Sequence, residues 1–99
     1  MYKQMQDNKK QNIMKKIDLS KLKIQMIDGS IMEYDLSKEL AEIIFKTTES
    51  LAEHSFCLDL YKNPVVELTD ENKAIIEKYT DKYFKAFVKV AVNKLLNEK

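Results

Sequence analysis

Arginine and tryptophan are absent from the 99 residues, and glycine, proline and cysteine occur once each. Each scarcity narrows what the chain can be. With one Gly and one Pro there is little material for tight turns, so the elements must be long and mostly helical. A single Cys rules out an internal disulfide framework and points to a reducing compartment. The lack of Arg removes the planar fork that grips phosphates and guanine edges in pairs, leaving 17 lysine point charges. Sequence-specific reading of nucleic acid is disfavoured accordingly, although a codon bias towards A and T would enrich Lys, Ile and Asn with no functional meaning. No run approaches the roughly 18 apolar residues of a spanning helix. The opening MYKQMQDNKKQNIMKK carries charge but no apolar h-region, so it does not read as a secretory signal.

What is present fits one small domain. Hydrophobic residues make up 44% and charged residues 33%, balanced to +1, which suits a single modest core and no deep cleft between lobes. The charge is unevenly placed. Residues 1–16 hold five Lys and one Asp, net +4, which leaves −3 for the rest. Such a basic polar tail cannot offset its ordering entropy, so 1–16 is expected to be disordered and 17–99 to form the domain.

KLKIQMIDGSIMEYD alternates apolar and polar residues on both sides of Asp28-Gly29, which predicts a hairpin. A three-residue loop, Ile27-Asp28-Gly29, sets Leu22, Ile24 and Met26 against Tyr34, Met32 and Ser30, gathering the apolar side chains on one face. Asp35 stands where a helix N-cap belongs, ahead of LSKELAEIIFKTTESL with helical spacing of Leu36, Leu40, Ile43 and Ile44. Thr47-Thr48 weakens that helix, and Ser50 with Glu53 makes a capping box for a second one. Asn63-Pro64 ends it. Val65–Leu68 is a short β-branched strand that would extend the hairpin sheet. Acids then cluster at the start of a last helix over 70–96, with lysines towards its end, as the helix dipole favours. The expected fold is α+β, a small antiparallel sheet packed on helices in the order ββααβα, with a long C-terminal helix.

Few residues hold reactive potential. His54 and Cys57, three apart on a helix, could pair as a thiolate nucleophile, with Asp59 nearby. Such a site needs oxyanion donors from irregular backbone, and the segment has no Gly. Cys57 between Phe56 and Leu58 reads instead as a small buried hydrophobe. A zinc site needs three or four ligands, and one His with one Cys is half of one. Neither an enzyme nor a cofactor is expected. Lys78, Lys82, Lys85 and Lys89 lie on one side of the last helix and form a candidate polyanion ridge, diluted by Glu77 and Asp81.

The last helix is also too much for its domain. At 1.5 Å per residue it would run about 40 Å, beyond the roughly 30 Å width of a compact chain this size. Its apolar arc spans about 220° on the wheel, twice what one core needs. Phe84, Val88, Val92, Leu95 and Leu96 are therefore the candidate self-association residues, and a homodimer is the first expectation. The alternative is a kink near Thr80-Asp81 that folds the end back onto its own sheet.

From Ile17 to Ile76 the chain resembles small proteins encoded by phages and prophages of gut Bacteroides-type bacteria. The shared features are a hairpin with a DG turn, then DLSKEL entering a helix, a short LDLY segment, a β-branched strand and a closing helix. The resemblance carries no catalytic signature. It implies a viral or mobile-element protein of the bacterial cytoplasm, not of the membrane. The expected function is a non-enzymatic interaction protein, a counter-defence factor that binds a host protein or sequesters a small signalling molecule. A nucleic-acid-associated regulator using the basic tail and Lys ridge is the alternative.

Overall fold

A computed structural model describes residues 15–97. The tail expected over 1–16 lies outside the described residues apart from Lys15 and Lys16. The chain runs β1 (Lys16–Asp18), a 3-10 turn (Leu19–Lys21), β2 (Leu22–Gln25) and β3 (Ile31–Tyr34). It continues through α1 (Ser37–Thr47), α2 (Leu51–Lys62), β4 (Val65–Glu67), α3 (Asp70–Tyr83) and α4 (Ala86–Asn97). The fold is α+β, with two small antiparallel sheets and helices in the order βββααβαα.

The hairpin has the register that its alternation predicts. Leu22 pairs with Tyr34 and Ile24 with Met32, and the Met26 N–H donates to the Ser30 carbonyl at 2.8 Å. Gly29 closes the three-residue loop at φ +88°, a conformation that side chains disfavour. Its N–H donates to the Met26 carbonyl, while Asp28 accepts from both the N–H and the hydroxyl of Ser30. Leu22 and Ile24 point into the core and Lys23 and Gln25 out of it.

Local signals also set the helix starts. Ser50 caps α2 by accepting from the Glu53 N–H. Thr69 caps α3 in the same way through the Asn72 N–H. Asp35 sits one residue ahead of the α1 cap position. Its carboxylate accepts from the N–H and hydroxyl of Ser37, an Asx turn that leads the chain into the helix. α1 and α2 pack closely as an antiparallel pair.

Two features differ from the sequence expectation. Val65–Glu67 does not extend the hairpin. It pairs antiparallel with Lys16–Asp18, Ile17 opposite Val66, in a separate sheet. Lys16, grouped above with the tail, is therefore part of a strand. The C-terminal helical stretch is also divided. Phe84 is extended at φ −112°, ψ 157°, and α4 restarts with the Val88 and Lys89 N–H groups on the Lys85 carbonyl. The break falls at Phe84-Lys85, one turn beyond the Thr80-Asp81 position that the sequence offered. It removes the excess length, because each half is short enough to lie on the domain.

That break explains the wide apolar arc. α4 packs against β2 and α3 and turns Val88, Val92 and Leu96, one helical face, into the same core as Leu22, Ile24, Leu40, Ile44, Leu60 and Ile76. Val92 is fully buried and Val88 only 7% exposed. The self-association surface drawn from the sequence is corrected accordingly. Val88, Val92 and Leu96 are covered by their own chain, and Phe84 and Leu95 are half-buried against it.

Candidate functional site

The candidate sites named from the sequence are dispersed or occupied. Cys57 is buried, and its thiol donates to the His54 backbone carbonyl at 3.1 Å, not to the imidazole. Burial pushes the Cys57 thiol pKa up, the opposite of what a thiolate nucleophile requires. The His54 ring instead packs against Phe45, 5.5 Å between centroids. Among the described residues no group of three His, Cys, Asp or Glu side chains is placed to hold a metal ion.

The Lys ridge is divided between two helices, with Lys78 and Lys89 still lining one groove between α3 and α4. Lys78 and Lys82 belong to α3, Lys85 to the break and Lys89 to α4. Lys78 donates to Glu53 at 2.9 Å, and Lys89 lies 3.7 Å from Asp81. Lys82 sits over the Tyr83 ring at 5.4 Å. Two of the four charges are thus matched by acids, and only Lys85 has neither an acid nor a ring against it among the described residues.

Glu53 anchors the most connected polar cluster. Its carboxylate accepts from the Thr48 and Tyr79 hydroxyls, each at 2.6 Å, and from Lys78. These donors, the Thr48 hydroxyl first, then Tyr79 and Lys78, hold its pKa down at about 2. The cluster ties the end of α1 and the start of α2 to α3. Because the Glu53 side chain turns towards these partners, only the Ser50 half of the capping box forms. All of its donors come from this chain, which makes it a structural staple.

A different surface has the properties of a binding site. A groove of about 840 Å³ lies between β1, β2 and α4. Five lysines line it, Lys15, Lys16, Lys21, Lys23 and Lys94, against one acid, Asp18. The Asp18 carboxylate is already engaged, accepting from the N–H and hydroxyl of Ser20, which lowers its pKa. Lys15 reaches across to the Leu95 carbonyl at 3.4 Å, and Lys23 pairs with Glu33 across the hairpin at 3.2 Å. Neither Lys16 nor Lys94 makes an ion pair among the described residues, and Lys16 stands opposite Glu67 in the β1–β4 ladder. Between the lysines the lining is apolar and exposed. Ile31 and Val90 are each 60% exposed, Phe87 is 46% exposed, and Ile27 stands clear at the hairpin tip.

Chemically this is a cation-rimmed apolar trough, suited to an anionic partner that also carries hydrophobic side chains. Sequence reasoning missed it. Its local signatures were present: Lys21, Lys23 and Gln25 alternate with the buried Leu22 and Ile24 and the half-buried Met26, and Phe87, Val90 and Lys94 share one stripe of α4. What brings them together is the turn at Phe84-Lys85, which carries no Gly or Pro to announce it. A second groove, about 690 Å³ between α2, β4 and α3, is lined by Glu53, Asp59, Glu67 and Glu71. The two grooves are therefore lined by ionisable side chains of opposite sign.

No protein family, curated protein or solved structure matches the chain. Among the described residues no helix is long and apolar enough to cross a membrane.

Proposed function

We propose that this is a non-enzymatic interaction protein that works by binding an acidic, partly apolar segment of another protein in the groove between β1, β2 and α4. The observation that carries the reading is the composition of that groove: five lysines and one engaged acid around exposed Ile27, Ile31, Phe87 and Val90. Charge complementarity steers an acidic partner, and the apolar floor supplies area to bury once it docks. A host protein as that partner, and with it the counter-defence role, is what the resemblance of the sequence to phage and prophage proteins would imply.

The groove chemistry favours protein over nucleic acid. Three of its four exposed apolar side chains are aliphatic, whereas single-stranded nucleic acid is held by aromatic faces on which bases stack.

The test is binding of the full chain to two labelled probes, an acidic peptide of Glu, Val and Leu and a single-stranded oligonucleotide, across a salt series. The reading expects the peptide to bind and the Lys16→Glu/Lys94→Glu double variant to lose it. Tighter binding of the oligonucleotide than of the peptide at every salt concentration would overturn the reading in favour of a nucleic-acid regulator.

A further inference from the structure

We propose that the partner segment binds as an extended strand added to the open edge of β2, with acidic and apolar residues alternating along it. The inference rests on the groove reading above and specifies how the groove is filled.

The backbone bonding sets which edge is open. In an antiparallel pair, residues alternate between facing the partner strand and facing away. Since Met26 donates to Ser30, the backbone groups of Ile24 and Leu22 also face β3. Those of Lys23 and Gln25 then face outward, into the side of β2 that lines the groove. The same argument applied to β4 gives a contrasting result. Leu68 donates to Lys15, and Leu19 donates to Pro64, so Val65 and Glu67 face away from β1. There the Val65 N–H donates to the Asn63 side chain at 3.1 Å, and the Glu67 carbonyl accepts from the Asn72 side chain at 2.8 Å. β4's edge is thus capped by side chains, as exposed edges usually are. Among the described residues the β2 edge has no such cap.

Side-chain chemistry then dictates the segment. A strand added to β2 turns alternate residues to the α4 side, where Phe87 and Val90 lie exposed, and the others to the side of Lys23. The first set must be apolar and the second acidic. Lys16 and Lys94, neither of them in an ion pair among the described residues, flank the path. Strand addition is a general mode in which main-chain bonds give affinity and alternate pockets give specificity. The chain's own residues 1–14 carry three Lys against one Asp, the wrong sign for this groove.

The experiment uses the full chain and a fluorescein-labelled alternating Glu/Val nonapeptide, with binding read by anisotropy. Two comparison peptides are the same sequence N-methylated at alternate amides and a stapled helical isomer of the same composition. Gln25→Pro removes an outward N–H and leaves the β2–β3 ladder intact, a substitution that edge strands tolerate. The alternating peptide is expected to bind, and both N-methylation and Gln25→Pro to weaken it by about tenfold or more. The N-methylated peptide tests the unaltered protein, so the result does not depend on how well Gln25→Pro folds. Equal binding by the N-methylated or helical peptide overturns strand addition. If those equal affinities still collapse in Lys16→Glu/Lys94→Glu, the groove reading stands alone; if they do not, both fall. A rise in affinity of more than about tenfold on deleting residues 1–14 would make that segment the resident occupant and overturn the proposal.

Discussion

The Tyr79 hydroxyl donates to Glu53 at 2.6 Å, joining the middle of α3 to the first turn of α2. Thr48 and Lys78 complete the coordination of that carboxylate, and Tyr79 itself is buried. The cluster therefore fixes the helical layer on which α4 and the hairpin pack. Glu53→Gln keeps the shape but removes the charge that these donors satisfy. It should destabilise the fold by about 2 kcal/mol, within the usual range for hydrogen bonds to a charged group. Urea unfolding at neutral pH checks it.

The same carboxylate predicts a pH dependence. Its pKa is depressed in the folded state, to about 2 from an ordinary 4.5. A depressed acid contributes stability that is fully present above the ordinary value and lost as pH falls through the folded one. The gap in stability between the natural protein and Glu53→Gln should therefore narrow between about pH 4.5 and 2. A gap that stays constant over that window would mean the Glu53 charge is not what the donors stabilise. Comparing the two proteins cancels the other lowered acids, Asp18 and Asp28.

Two neighbouring residues of α4 separate core from surface. Val88 is buried, whereas Phe87 is 46% exposed in the groove. Val88→Asp should unfold the domain or cost at least about 3 kcal/mol, by placing a charge in the core. Phe87→Asp should change stability by less than about 1 kcal/mol and weaken acidic-peptide binding. Circular dichroism melts of both variants, with light scattering to follow mass, test this. A folded Val88→Asp that merely changes its association state would restore Val88 to an intermolecular surface.

At the hairpin, Gly29 holds φ +88° with nothing within 4 Å of an added Cβ. The cost of Gly29→Ala is thus backbone conformation alone, expected at about 1 kcal/mol. Gly29→Asn should cost less, since Asn tolerates this region. A clash-free site at which both substitutions proved equally harmful would contradict the loop geometry.

Cys57 should resist thiol reagents in the native protein and react on unfolding. It is 1% exposed, with its thiol directed at the His54 carbonyl. Rapid native labelling would mean that α2 opens locally.

The parts of the fold written in local sequence were legible. Alternation around Asp28-Gly29 set the hairpin register, and Ser50 and Asn63-Pro64 marked helix boundaries. What escaped depends on distant partners. β1 has one buried residue, Ile17, between two lysines and Asp18, too little periodicity to announce a strand until β4 lies beside it. β4 was read correctly as a strand and given the wrong partner, because three residues do not encode which edge they join. The break at Phe84-Lys85 is tertiary in origin: it lets Val88, Val92 and Leu96 reach a core that one straight helix would have passed by. The groove follows from that break, so its lysines could not be grouped from sequence spacing.

The most direct measurement of the binding claim is a backbone NMR titration of the full chain with the alternating Glu/Val peptide. Shifts confined to Lys16, Lys21–Ile27, Phe87, Val90 and Lys94 are the predicted result. Shifts centred on Lys78, Lys82 and Lys85, or none in the groove at saturating peptide, would contradict it.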